Sequence, residues 1–491
     1  VYTRIRALIS TLAVAAIAFT QMLDTSVVNV SLPIMAIDFH LDSLNSGWII
    51  TSFGTGLAIG LLVSSNLASR WGEVNVFVFC SLLFALVSVL CAMSAQLLPF
   101  LLLRLLQGLL SGLVVATSQY VIVETMPPEK RAFALSIWGG AISFAPTLGP
   151  LVGAIVTESV GWPWLFYLNL PLIIFALLAI DFKGIHNSGK DRVAMNWPAL
   201  FWVSVFVLSL QLVVDFGEYL EWFKSDTIFF SAIIALISVM FFFYSNRGPN
   251  KLFDFGVFND RQFLLGTLTI VCGNSLIIAA LLVVPIWLQR VYGLPILEAG
   301  MIVASSSLIS AAAAPFIGRY MKPQHYTLSA FLSVIVLSFS FWQMSFYSLS
   351  SGSVQLYIPR VLLGVGLALF YVPLVSFSMQ NLAQQQLVAA NAISLFLRVV
   401  CANLAIGIAL SAIINLQVVE SGYYASSSDF YFHRSYYSGI YPHAELLFRL
   451  SDTSAFLKVF RWFGLAFALI FIVLLLLWFS AKVKNRMRLV Q

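Results

Sequence analysis

Charge is what this chain has least of. Only 9% of its 491 residues are charged, against about 25% in soluble domains. That shortage excludes a soluble globular domain. Cysteine is scarce too: Cys80, Cys91, Cys272 and Cys401 all fall inside apolar runs. They imply neither a disulfide framework nor a thiolate metal site, and read as small buried apolar residues. His433 and His443, near Asp429 and Glu445, match no standard metal spacing, so no metal is expected. There are no short alternating segments of the kind that build a transmembrane barrel. No nucleophile–base set stands out, so an enzyme is not expected. The net charge of +6 could suggest a nucleic-acid partner. Its placement between apolar runs argues for membrane topology instead.

One stretch imitates a phosphate loop. Gly184-Ile185-His186-Asn187-Ser188-Gly189-Lys190 is followed by Asp191, where such loops need Ser or Thr to hold magnesium. Direct ATP hydrolysis is excluded on that ground, and no cofactor is expected.

What the chain has is hydrophobic length. Sixty percent of its residues are hydrophobic, and runs near 20 residues recur, the length a helix needs to cross a bilayer. The expected fold is an all-α polytopic membrane protein embedded in the lipid bilayer. Fourteen transmembrane helices are predicted, at about 7–32, 46–67, 75–95, 98–122, 132–157, 163–181, 197–216, 226–245, 263–289, 296–318, 326–348, 354–379, 388–415 and 456–480. An even number places both termini on one side. With that side cytoplasmic, 17 of the 26 Lys and Arg residues lie at the cytoplasmic face, as the positive-inside rule requires. Arg4 and Arg6 precede an apolar segment too long for a cleaved signal.

The chain repeats itself. Leu101-Leu102-Leu103-Arg104-Leu105-Leu106-Gln107-Gly108 is echoed by Tyr357-Ile358-Pro359-Arg360-Val361-Leu362-Leu363-Gly364, 256 residues later. Pro33 is echoed by Pro285 and Gly47 by Gly300, at offsets of 252 and 253. A parallel repeat of six spans is the plan of a secondary transporter. The expected domains are an N-terminal six-helix bundle (1–181), a linker with two inserted helices (182–262), and a C-terminal six-helix bundle (263–491). A long external loop is expected at 416–455, rich in Tyr and Ser and suited to protein contact.

Within this frame a few residues carry chemistry. Asp24 closes the apolar segment that begins near Ala7, so it is expected inside a spanning helix. An ionisable side chain there marks a substrate or ion pathway by default, with plain helix packing as the alternative. Arg104 sits at a similar predicted depth in the fourth span. Burial favours a neutral carboxyl and a nearby cation favours a charged one. A carboxylate whose cationic partner can move away therefore acts as a proton switch; a static ion pair is the alternative. Gly108 and Gly112 have the spacing that lets helices pack closely. Pro146, Gly149, Pro150 and Gly153 predict a bend in the fifth span. Gln21, Asn29, Gln107, Gln119, Tyr120, Asn274, Trp287, Arg360, Tyr371 and Arg398 are candidate lining of a cavity for bulky apolar or cationic ligands. At an offset of 252 the counterpart of Asp24 is Leu276, so the second half keeps an Arg but lacks the acid.

These motifs resemble the major facilitator superfamily, in particular its 14-span drug:proton antiporters of the EmrB/QacA type. Leu23-Asp24-Thr25-Ser26-Val27-Val28-Asn29-Val30-Ser31-Leu32-Pro33 resembles the family's first-span signature. Arg104-Leu105-Leu106-Gln107-Gly108 is similar to its fourth-span motif, whose Arg is implicated in proton transfer. Pro146-Thr147-Leu148-Gly149-Pro150-Leu151-Val152-Gly153 resembles its antiporter motif. The insertion Leu210-Gln211-Leu212-Val213-Val214-Asp215-Phe216-Gly217-Glu218 looks like that of the EmrB branch. One loop departs from the superfamily pattern: Asn66-Leu67-Ala68-Ser69-Arg70-Trp71-Gly72-Glu73 lacks the usual Asp and trailing basic pair. The resemblance implies the major facilitator fold and a proton-coupled antiporter exporting bulky amphipathic drugs. It also implies a periplasmic membrane-fusion adaptor and an outer-membrane channel as partners, and a bacterial inner membrane. A dedicated exporter of one metabolite, such as a siderophore, is an alternative. So, from another class, is a non-transporting membrane sensor or scaffold.

Overall fold

The computed structural model describes residues 2–127, 130–182, 196–247, 251–321, 325–349, 351–382, 384–432 and 440–488. Those residues form sixteen α-helices and no strand. In chain order they are α1 (Tyr2–Leu23), α2 (Leu32–Asp38), α3 (Trp48–Trp71), α4 (Glu73–Met93), α5 (Leu97–Glu124), α6 (Arg131–Val160), α7 (Trp164–Tyr167), α8 (Asn169–Ala179), α9 (Trp197–Phe216), α10 (Asp226–Ser245), α11 (Arg261–Tyr292), α12 (Ile296–Tyr320), α13 (Tyr326–Met344), α14 (Ser353–Met379), α15 (Gln384–Phe432) and α16 (Ile440–Arg488). The phosphate-loop mimic and His433 lie outside the described residues.

Twelve of these helices are long and apolar enough to cross a membrane. A thirteenth is α6, bent by 52° between Phe133–Pro146 and Leu148–Val160. The expected span at 163–181 falls short of that length: it is an apolar stretch, Trp164–Ala179, split into α7 and α8 at Leu168. The cause is Pro171, which has no N–H and whose ring crowds the carbonyl four residues back.

Two expectations need correction. The first span does not run unbroken to residue 32. Helix α1 stops at Leu23, residues 24–31 are turns, and α2 starts at Leu32. The reason is local. The Thr25 hydroxyl donates to the Met22 carbonyl and the Ser26 hydroxyl to the Leu23 carbonyl. Such side chains offer the backbone partners other than the helix ladder, and Pro33 sits in the first turn of α2. Asp24 is therefore just beyond a helix end, not inside a helix. Second, the described parts of 416–455 are helical, as extensions of α15 and α16. No proline occurs between Gln384 and Phe432, so nothing stops α15 at the apolar boundary. Glu420, buried, accepts from the Ser454 hydroxyl at 2.8 Å and pairs with Lys458 Nζ, tying the two extensions together. Because Lys458 is partly exposed, Glu420→Gln should lower stability by only about 0.2–1 kcal/mol. It should also raise amide exchange at 416–424 and 448–458, with α11 unaffected.

The helices group into two compact units. The first is Val1–Phe255 together with Val388–Gly407; the second is Gly256–Leu387 with Ile408–Gln491. Residues Val388–Gly407 of α15 thus group with the first unit, although they lie in the second sequence repeat. In the first unit α1 packs on α5, α6 and α8, and α3 packs on α5 and α9. In the second, α14 packs on α11, α12 and α13, and α16 on α11 and α13.

The α3–α5 contact depends on missing side chains. A Cβ on Gly108 would lie 1.9 Å from the Phe53 carbonyl oxygen, and one on Gly112 would lie 2.6 Å from that of Leu57. Gly56 and Gly60 return the arrangement against Leu105 and Leu109 of α5. Helices in lipid associate through such close backbone approach. The second unit repeats the contact: a Cβ on Gly364 would lie 2.4 Å from the Ser306 carbonyl oxygen. Ser306 stands 253 residues after Phe53, the offset that relates Gly300 to Gly47.

Candidate functional site

The non-helical stretch 24–31 is buried almost throughout: Asp24 and Val27 to Ser31 are all closed off. Irregular backbone at membrane depth is tolerated only against protein or a water-filled cavity. Here α6 supplies the protein. A Cβ on Gly149 would lie 1.9 Å from the Ser26 hydroxyl oxygen, and one on Gly153 would lie 2.1 Å from the Val27 carbonyl oxygen. The glycines at the α6 bend are the ones that admit the irregular segment. Ser31 and Thr157 close the contact with a hydroxyl–hydroxyl hydrogen bond of 2.6 Å.

The break turns Asp24 toward α5. Arg104 Nη1 donates to Asp24 Oδ2 at 2.5 Å, and both side chains are 1% exposed. The guanidinium has further partners. Nη1 also donates to Gln107 Oε1 at 2.6 Å and Nε to the Ile49 carbonyl at 3.3 Å. The ring centres of Phe53 and Phe166 lie 4.4 and 5.4 Å from its central carbon, near enough for cation–π attraction. The network then closes on itself. Gln107 Nε2 donates to Ser88 Oγ at 2.6 Å. Asn169 Nδ2 reaches both Ser88 Oγ at 3.4 Å and Asp24 Oδ1 at 3.3 Å. The ring Asp24–Arg104–Gln107–Ser88–Asn169 joins the α1 break, α5, α4 and α8. A buried ion pair needs hydrogen bonds on its remaining atoms to offset desolvation, and this ring provides them.

Sequence reasoning brought Asp24 and Arg104 together but missed Ser88, Asn169, Phe53 and Phe166. Ser88 and Asn169 were each a single polar residue in an apolar run, with nothing to mark them. Gln107, expected to line a cavity, belongs instead to the ion-pair network. The other candidate lining residues divide between the two units. Gln21 is fully buried, with neither amide atom hydrogen-bonded, and the Asn29 Oδ1 is likewise without a partner. Gln119 is exposed and Tyr120 half-buried. In the second unit the Tyr371 hydroxyl donates to Asn274 Oδ1 at 2.9 Å. Trp287 is buried edge-on to Tyr292 and Phe460. Arg398 Nε donates to the Ser394 carbonyl at 3.3 Å.

Arg360 shows what the second repeat lost. It is fully buried on α14, and Nη2 donates to the Val303 carbonyl at 3.1 Å and to Ser306 Oγ at 2.8 Å. Its Nε and Nη1 have no hydrogen-bond partner. Among the described residues no carboxylate lies within ion-pair distance of it; the position matching Asp24 is Leu276.

Residues 14–409 match the Major Facilitator Superfamily. The chain belongs to that superfamily. Its curated relatives include the multidrug export protein EmrB of Escherichia coli K12, 28% identical over 81% of this chain and 78% of that protein. The probable multidrug resistance protein EmrY of the same strain is 29% identical over 79% of this chain and 76% of its own length. Among solved structures, an auto-inhibited POT-family peptide transporter superposes with a TM-score of 0.62 at 15% identity, covering 94% of this chain and 96% of that one. That likeness shows the shared fold. This major facilitator chain is a multi-span membrane protein of a transporter family, and its ion-pair network stands among helices of the first unit.

Proposed function

We propose that this chain is a proton-coupled antiporter that exports bulky amphipathic compounds by alternating access. One observation carries the reading: a carboxylate and a guanidinium, both sealed from solvent, meet where the first spanning helix breaks. A purely structural helix does not need to break there. An intramembrane ion pair is expensive and by default functional. The names of the EmrB and EmrY relatives support multidrug compounds as the cargo class.

In the paired state Asp24 is charged and Arg104 neutralises it. A proton arriving at Asp24 removes the charge that holds the irregular segment to α5. Arg104 keeps Gln107, the Ile49 carbonyl and two aromatic faces, so the guanidinium is not stranded when the carboxyl leaves. The segment can then shift against Gly149 and Gly153 of α6. Proton release re-forms the pair. The proton gradient supplies the driving force, and no cofactor takes part. The setting is a bacterial inner membrane with both termini cytoplasmic. A periplasmic membrane-fusion adaptor and an outer-membrane channel complete the export path.

The test uses the full chain in lipid vesicles with ethidium, a flat aromatic cation, as probe. An imposed pH gradient should drive ethidium transport against its own gradient, with protons moving the opposite way. Ethidium movement that ignores both the gradient and protonophores would overturn the coupling. The adaptor is tested separately: purified adaptor should be retained by immobilised chain and not by an unrelated facilitator.

A further inference from the structure

A second acid in the first unit has no part in the network above. Asp215 lies one residue before the end of α9, in the inserted pair of helices, and is half-buried. Thr51 Oγ1 of α3 donates to Asp215 Oδ2 at 2.6 Å, and Gln211 Nε2 donates to Oδ1 at 2.8 Å. Trp48 Nε1 donates to the Asp215 backbone carbonyl at 2.7 Å, and its ring stacks on Phe216 at 4.2 Å. The α15 stretch comes equally close. A Cβ on Gly407 would lie 2.9 Å from Asp215 Oδ1, and Gln211 also donates to the Asn403 carbonyl at 3.4 Å. Gly407 is the last residue that α15 contributes to this unit.

The donors are neutral, and the charged neighbours are all engaged or at a distance. On its own segment Glu218 accepts from Trp222 Nε1, and Glu221 pairs with Lys224. The charged residue of α3 is Arg70, stacked over Trp197 at the far end of α9. That of α10 is Asp226, and that of the α15 stretch 388–407 is Arg398. Among the described residues no cation lies within ion-pair distance of Asp215. A carboxylate withdrawn from water without a cation to face is costly, and the usual outcome is that it takes up a proton.

The site can hold that proton without leaving an atom unsatisfied. Thr51 has a second acceptor, the Gly47 carbonyl, at 3.2 Å. We propose that Asp215, Thr51 and Gln211 form a second proton-binding site, on the inserted helix α9 and separate from Asp24–Arg104. On protonation an O–H bond forms at Asp215 Oδ2 and donates to Thr51 Oγ1. The Thr51 hydroxyl turns its own hydrogen to the Gly47 carbonyl. On release the Asp215 O–H bond breaks, the proton leaves, and Thr51 donates to the carboxylate again. The charge on Asp215 thereby bears on the place where α15 leaves this unit.

The role of this proton in transport rests on the coupling proposed above; its existence does not. Infrared difference spectra of the full chain in lipid vesicles, recorded as the pH is stepped, should show a protonated-carboxyl band that appears and disappears. In the Asp24→Asn background, where the coupling acid is silent, the band should persist, should survive Asp215→Glu, shift its midpoint with Thr51→Val, and vanish with Asp215→Asn. A band unchanged between Asp24→Asn and the double variant Asp24→Asn/Asp215→Asn overturns the site, as does a band lost completely in Asp24→Asn alone. In ethidium-driven proton flux, Asp215→Asn should halve the protons moved per ethidium. An unchanged ratio overturns its part in coupling. If the wild type moves no protons at all, the coupling reading fails, and the infrared band still decides whether Asp215 titrates.

Discussion

Arg104→Ala should destabilise the protein by about 3–5 kcal/mol, the usual range when one partner of a buried ion pair is removed. The variant leaves the buried Asp24 carboxyl without its cation, with Asn169 still donating to its side chain. It also removes the cation between Phe53 and Phe166. Most of that loss is the cost of burying a carboxyl without its partner, whether it stays charged or takes up a proton, so it should be recoverable. Adding Asp24→Asn to Arg104→Ala should restore part of it, with a coupling of about 1–3 kcal/mol in a double-mutant cycle. Thermal unfolding of the four proteins in one detergent measures this. Losses that simply add would mean that the two residues do not depend on each other.

The second large effect is steric. Gly153→Ala places a methyl 2.1 Å from the Val27 carbonyl oxygen. A backbone atom cannot swing aside as a side chain can, so the irregular segment must shift as a whole. Overpacking of this kind typically costs about 1–3 kcal/mol. The larger consequence is functional, because the displaced segment carries Asp24. Transport should fall by at least about tenfold, equivalent to about 1.4 kcal/mol on the barrier, in a protein that still inserts. Gly139→Ala is the control: it lies on the same helix α6 and meets nothing within 4 Å. It should be neutral, or slightly stabilising through reduced chain entropy. Equal effects at both positions would show that α6 merely dislikes substitution.

The residues differ in how far the sequence announced them. Asp24 and Arg104 were legible because a charge inside an apolar run is rare enough to notice. The spacing of Gly108 and Gly112 announced a close helix contact but not its partner α3, and Gly364 was visible only as the echo of Gly108 in the repeat. The break after Leu23 was less visible, since a run of apolar and hydroxyl residues reads as one long span by hydropathy. Local hydrogen bonds from Thr25 and Ser26 decide it. The α15 and α16 extensions were hidden by the opposite bias. Polar composition reads as loop, yet helix length depends on breakers and on side-chain ties such as Glu420 to Ser454. Asn169 and Ser88 were beyond sequence reasoning, because their partners lie 145 and 19 residues away on Asp24 and Gln107. Asp215 was in plain view within the inserted segment. Its meaning depended on seeing that its donors are neutral.

In the proposed mechanism the Asp24–Arg104 pair and the segment packed against α6 form one device: a charge fixes the broken helix to α5, a proton would loosen it, and two glycines give it room. In the second unit the repeat-related Arg360 has no carboxylate within ion-pair distance among the described residues, so the proposed device has no counterpart at that position.

The most direct measurement compares wild type and Asp24→Asn in vesicles, with ethidium transport followed in two modes. Under an imposed pH gradient Asp24→Asn should lose accumulation entirely. In exchange of labelled for unlabelled ethidium without a gradient it should retain activity. Accumulation at the wild-type level in Asp24→Asn would contradict the assignment of Asp24 as the coupling acid.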